Sequence, residues 1–237
     1  MLIGRAVAAG RVGLLMVAVA LTGCATYTEK FQEVERKVVQ ADYDKALKLL
    51  DKAKGPDRDR VLYLMNKGML ERLAGDLQAS NATLASTEQL SENLEAISVR
   101  EQAGAVSINE GMRSYVGADY ERSLLQVYQV MNYLQLGQPQ EARVEALQTD
   151  VLLQRLYKKD EPEDPFARYI IGIVFEDLGE YDNALIAYRH AYAAYQAAHK
   201  DYGIAVPVYL KQDLLRLSQY LGLNNEFRRY KEAFGID

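Results

Sequence analysis

Apolar positions in the body of this chain recur every three or four residues. Ala184, Ala187, Ala191, Ala194 and Ala198 show the spacing most plainly, and it places side chains on one face of an α-helix. No stretch alternates apolar and polar residues in the manner of a strand. The β-branched residues are scattered among Ala, Leu, Glu, Lys, Gln and Arg, which favour helix. Pro56, Pro139, Pro162, Pro165 and Pro207 each stand where a helix can start or stop. The pattern predicts helices near Tyr27–Val39, Tyr43–Lys54, Arg58–Ala74, Leu77–Ser86, Glu88–Ala103 and Ser107–Tyr115. It predicts further helices near Tyr120–Leu136, Pro139–Lys158, Pro165–Leu178, Tyr181–His199, Pro207–Leu221 and Asn225–Phe234. Glu161 to Asp164 reads as an acidic, proline-bounded connector.

A short motif recurs at the predicted breaks. It appears at Tyr43 to Ala46, Leu77 to Ser80, Tyr120 to Ser123, Pro139 to Ala142 and Tyr181 to Ala184, each time behind a small residue and a polar one. The small residue lets the chain turn between antiparallel helices. The large or rigid residue plugs the hinge, and Ala or Ser three positions later lets the helices approach closely. This resembles the hairpin of a tetratricopeptide repeat (TPR). Tyr43 and Leu77 lie 34 residues apart, which is that repeat's period. Pro165 to Gln196 forms the best unit, with Gly172 as the small contact, Phe175 as the large one, and Gly179 and Tyr181 at the turn. Arg58 to Glu88 forms a second, through Leu64, Gly68, Gly75, Ser80 and Leu84. Arg168 and Glu71 stand where the repeat carries large apolar residues. Tyr120 and Pro139 are only 19 residues apart, so the helix between them would serve two units. The resemblance implies an all-α, TPR-like α-solenoid of antiparallel helix hairpins, degenerate in its repeats. The alternative is a non-repetitive helical array.

The amino terminus has a different pattern. Arg5 and Arg11 precede an apolar run from Val12 to Leu21, and Leu21-Thr22-Gly23-Cys24 follows. That order is a secretory signal with a small-residue cleavage site, and the run is too short to span a bilayer. The tetrapeptide resembles the bacterial lipobox, which implies diacylglycerol on the Cys24 sulfur and cleavage between Gly23 and Cys24. The expected organisation is a removed signal peptide over 1–23, a lipidated tether over 24–30 and a single TPR-like helical domain over 31–237. The covalent lipid is the sole membrane attachment, since no later stretch is long and apolar enough to cross. Ala25, in place of Asp, implies the periplasmic side of the outer membrane. Removing the first 23 residues takes away two arginines, so 26 basic side chains face 33 acidic ones. That balance disfavours nucleic acid as a partner. The fold rests on packing alone, because Cys24 is the only cysteine.

Candidate chemistry is sparse. Tyr188, Tyr192, Tyr195 and His199 fall at i, i+4, i+7 and i+11, forming one helical stripe. Such a stripe can line a groove that grips an envelope protein or peptide, with rings supplying area and hydroxyls finding polar partners. Alternatively it faces neighbouring helices, as aromatic residues at helical period usually do. His190 and His199 are nine apart with no neighbouring cysteine, so no metal site is expected. The acidic pairs Asp42/Asp44 and Asp57/Asp59, and the run Asp160 to Asp164, sit beside turns and read as solvated loops. Phosphate-binding glycine loops and nucleophile elbows are absent from the sequence. The expectation is a non-catalytic scaffold or adaptor without cofactor, serving an envelope assembly or peptidoglycan-related machine. A helical cell-wall hydrolase or a small-ligand binder is the alternative.

Overall fold

The computed structural model describes residues 27–103, 114–157 and 163–236. Among these, regular structure is helical throughout. Its helices are α1 (Tyr27–Val39), α2 (Tyr43–Lys52), α3 (Arg60–Leu73), α4 (Leu77–Ala103), α5 (Asp119–Gln135), α6 (Pro139–Leu156), α7 (Pro165–Asp177), α8 (Tyr181–Tyr202), α9 (Val208–Tyr220) and α10 (Asn224–Phe234), with a short 3-10 turn at Asp57–Asp59. The chain falls into two compact units divided between Lys54 and Gly55. Gly23 and Cys24 lie outside the described residues.

The first unit holds the α1–α2 hairpin, with Val34, Ala46 and Leu50 buried. The second holds four more hairpins: α3–α4, α5–α6, α7–α8 and α9–α10. In it each helix packs on the next, and α5 also meets α7. This is neighbour-on-neighbour stacking of helical repeats.

All five hairpins turn in the same way. One residue adopts a left-handed conformation: Ala41, Gly75, Gly137, Gly179 and Gly222, with φ of 55°, 87°, 69°, 75° and 70°. Its amide bonds the carbonyl three residues back, and the next amide bonds the carbonyl five back, as in Gly179 N to Glu176 O and Glu180 N to Phe175 O. Orphan carbonyls at the helix end are thereby satisfied. Glycine takes this conformation without a Cβ clash; Ala41 takes it with one.

Several expectations are corrected here. The predicted helices Leu77–Ser86 and Glu88–Ala103 are one helix, α4. Ser86 and Thr87 donate their hydroxyls to the carbonyls of Ala82 (2.8 Å) and Thr83 (2.7 Å), so they sit inside a helix without ending it. The motif at Tyr120 is no hairpin turn. Ala118 is extended, with φ −73° and ψ 157°, and Glu121 Oε2 accepts from its amide; α5 begins there and serves one hairpin. The predicted Ser107–Tyr115 helix falls mostly on residues outside those described, and residues 114–118 are not helical. Nor are Glu163 and Asp164 idle loop acids. Asp164 Oδ1 accepts from the amides of Phe166 and Ala167 and caps α7.

Among the described residues of the second unit, buried apolar side chains gather into a larger and a smaller cluster. The larger runs from α5 to α9 and includes Val130, Leu153, Ile171, Val174, Leu185, Tyr188, Leu210 and Leu217. The smaller joins Val61, Met65, Leu84 and Leu125. Between α4 and α5 lies a polar seam: Ser80, Asn81, Gln126, Gln129 and Asn132 are all buried. Asn132 Nδ2 donates to Ser80 Oγ at 2.9 Å and to Asn81 Oδ1 at 2.8 Å, and Arg72 donates to its Oδ1. Buried amides of this kind need such partners, because an unpaired one costs about 1–3 kcal/mol.

Candidate protein-binding surface

The tyrosine stripe of α8 faces inward for half its members. Tyr188 is 1% exposed and lies across Gly172 of α7. Its hydroxyl donates to Glu176 at 2.8 Å, and its ring meets Tyr169 at 5.5 Å. Burial, then the Glu176 carboxylate, pushes that hydroxyl well above the usual tyrosine range. Tyr195 is buried too. Tyr192 stands half-buried with its edge toward Tyr230 and Phe234 of α10, and only His199 is exposed. The structure thus brings Tyr188, Tyr192 and Tyr195 into the packing of α8 against its neighbours. Salt bridges fasten the same joint. Arg189 forks onto Glu226 at 2.7 and 2.5 Å, and Arg216 of α9 binds Glu176 of α7.

The two departures from the repeat pattern have different outcomes. Arg168 is 4% exposed. It forks onto Glu163 at 2.5 and 2.7 Å and also reaches Asp150 of α6. Burial works against the Glu163 carboxylate, yet Arg168 holds it below its ordinary value. Glu71 is enclosed too, though at 9% exposed less deeply, with Lys67 at 3.7 Å from one oxygen.

The surface that stands out was not singled out in the sequence. On α6, Ala142, Ala146, Thr149 and Leu153 face the core. The opposite face therefore carries Val144, Leu147 and Val151, which are 52%, 41% and 65% exposed. An amphipathic helix places polar residues there. The inner Ala-Ala-Thr-Leu stripe is readable in the sequence and could have exposed this aliphatic row. Ile186 of α8 is 50% exposed beside it.

A groove runs along each side of α6. One lies between α6 and α8 with α7 as its floor, lined by Leu147, Asp150, Arg168, Ile171, Ile186 and His190 among others, and holds about 380 Å³. The second lies between α4 and α6 with α5 as its floor, and holds about 340 Å³. Leu147, Val151 and Leu152 give it an apolar wall, with Glu88, Glu92, Gln126, Gln148 and Arg155 around them. Glu88 accepts from Gln126 Nε2, while Gln126 Oε1 is buried without a partner. Burial raises the Glu88 carboxyl, and Glu92 raises it further against the opposing pull of Gln126. Glu145 on α6 is raised likewise, by burial first and then by Glu88.

No family model matches the chain, and no curated protein matches it by sequence. Solved structures do match it in shape. BtubC (BKLC) from P. vanneervenii superposes with a TM-score of 0.58 at 15% identity, over 85% of this chain and 78% of that one. A MamA structure gives 0.53 at 15% identity, over 84% and 90%. A tetratricopeptide repeat protein from Parabacteroides merdae ATCC 43184 gives 0.53 at 17% identity, over 87% of this chain and 64% of that one. The fold is a TPR-like helical repeat.

Such a fold does not fix a function, which lives in the sites set upon it. Among the described residues no group of His, Cys, Asp and Glu is arranged to hold a metal ion. None of the described helices is long and apolar enough to cross a membrane. The chemistry on display is contact chemistry: an aliphatic row on a helical scaffold, flanked by grooves with charged rims.

Proposed function

We propose that this chain is a lipid-anchored, non-catalytic scaffold on the periplasmic side of the outer membrane. It docks a protein or peptide belonging to an envelope assembly or peptidoglycan-related machine. The observation that carries the docking role is the row Val144, Leu147 and Val151, which leaves aliphatic surface in water on a helix whose other face is fully packed. Exposed apolar surface of this kind marks interaction sites, and stacked helix pairs present it on a broad, rigid face. The anchor reading rests on the residues around Cys24. Acyl chains there hold the domain at the membrane, at about 0.8 kcal/mol for each buried methylene, and raise its effective concentration toward partners on that surface.

Crosslinking in intact cells followed by mass spectrometry tests the scaffold reading. A reproducible envelope partner captured through α6 supports it. Turnover of purified peptidoglycan by the chain, with no partner captured, overturns it. For the anchor, Cys24→Ala is expected to abolish fatty-acid labelling and leave the precursor uncut. Normal processing and membrane retention of that variant would refute it.

A further inference from the structure

We infer that the groove between α4 and α6 is the docking site, and that its occupant is a basic amphipathic helix of another protein. This deepens the scaffold reading and rests on it. The groove offers two chemistries to one ligand. Its α6 wall is aliphatic, from Leu147 through Val151, and spans about 12 Å from Leu147 to Arg155, two helical turns. Its other wall and its floor are rich in acceptors. Glu88 and Glu92 come from α4 and Gln126 from α5. Glu145 lies one turn before Gln148 on α6, close enough to Glu88 for their charges to repel.

The cations nearby do not balance this. Arg155 is the basic residue lining the groove, and it donates to Glu92 at 3.0 Å. Glu88 is held by the neutral amides of Gln126 and Gln129 and drawn weakly toward Arg155, yet burial and the nearby Glu92 outweigh them, and Glu145 crowds it from α6. Gln126 is 2% exposed, and its Oε1 has no donor. A group left this way is costly to bury. What the groove lacks is a positively charged donor facing Glu88 and Glu145, delivered together with apolar contact for Leu147 and Val151. A helix carrying Lys or Arg one turn from Leu or Ile supplies both from one face. A neutral apolar segment would leave the carboxylates desolvated further, and an acidic one would be repelled.

The test uses the full chain in uncharged detergent micelles, read by fluorescence anisotropy. The probes are two labelled fourteen-residue peptides with leucines at helical period, one with lysines on the polar positions and the other with glutamates. Micelle uptake is common to every sample, so the reading is the difference between protein variants. The lysine peptide is expected to bind, to weaken as salt is raised, and to lose about tenfold in affinity or more with Glu88→Gln/Glu145→Gln. Val151→Asn, which removes apolar contact without adding charge, is expected to weaken it likewise. The double Gln variant relieves repulsion, so its fold is not at risk. Equal binding of the glutamate peptide, no binding beyond micelles alone, or unchanged affinity in the double variant each overturns the assignment. If a partner crosslinked in cells is still captured by Glu88→Gln/Glu145→Gln/Val151→Asn, the scaffold reading stands and this groove assignment falls.

Discussion

Gly172→Ala tests the tightest approach made at any glycine among the described residues. A Cβ built on Gly172 lies 2.3 Å from both Cδ1 and Cε1 of Tyr188. Ordinary contact begins near 3.4 Å, so the ring must retreat by about 1 Å at two atoms, or α7 and α8 must part. The ring has little freedom to move: it is 1% exposed, hydrogen-bonded to Glu176 and packed at a tilt against Tyr169. Overpacking costs about 1–3 kcal/mol, and a pinned ring belongs at the upper end. Alanine's helix preference returns about 1 kcal/mol. The net loss is about 2 kcal/mol, a fall in Tm of about 4–8 °C for a chain of this size. Thermal unfolding followed by far-UV circular dichroism reads it. Tyr188→Leu in the same background should recover part of the loss, as expected of coupled neighbours. A neutral or stabilising Gly172→Ala would refute the reasoning, since only the propensity gain would then be acting.

Three further outcomes are expected. Ala41→Gly removes a left-handed alanine and should stabilise the α1–α2 hairpin by about 1 kcal/mol, while Gly179→Ala, at φ 75°, should cost about as much; amide hydrogen exchange of the flanking helices reads both. Arg168→Ala strands Glu163 and Asp150 and should cost about 3 kcal/mol near neutrality. Glu163 is held below its ordinary value of 4.5 in the fold, so its contribution is present above that pH and lost as pH falls through the lowered value; the penalty should shrink in acid. Glu88→Gln/Glu145→Gln should do the reverse in sign. Both carboxyls are raised in the fold, so they weaken it as pH climbs through the raised values. Denaturant midpoints should show the variant more stable than the parent near pH 7 and alike near the ordinary glutamate value of 4.5.

The hairpins were legible because their chemistry is local. A glycine, a polar residue and a plug residue fix the turn by themselves, and Gly75, Gly137 and Gly179 behave as their motifs imply. Gly222 escaped notice because Leu223 and Asn224 supply no plug of the usual kind, though its turn bonds match the others. The Tyr120 motif misled because a helix entered from an extended segment carries the same letters as one entered from a turn. Gly172 was legible as a small contact, but its closeness to Tyr188 was not, since it depends on how α8 is rotated. Arg168 looked like a fault in the pattern. Only the meeting of α6 with residue 163 shows that it has carboxylates to bind. The groove beside α6 was hidden for the same reason: Glu88, Gln126 and Glu145 come from three helices, and no sequence period joins them.

The joint between α4 and α5 has a consequence for how the second unit comes apart. Where bonding runs only from neighbour to neighbour, cohesion is set by the leanest link. Here that link sets only the small Leu84–Leu125 contact and the Arg122–Glu95 pair beside a row of amides and hydroxyls, whose net contribution is about 1 kcal/mol each, while the stack beyond it is closed by a larger body of interlocking hydrocarbon and aromatic rings. Gradual heating should therefore peel α3 and α4 away first and leave a shorter core running from α5 to α10. A protease would cut this chain in its first half long before the second yielded.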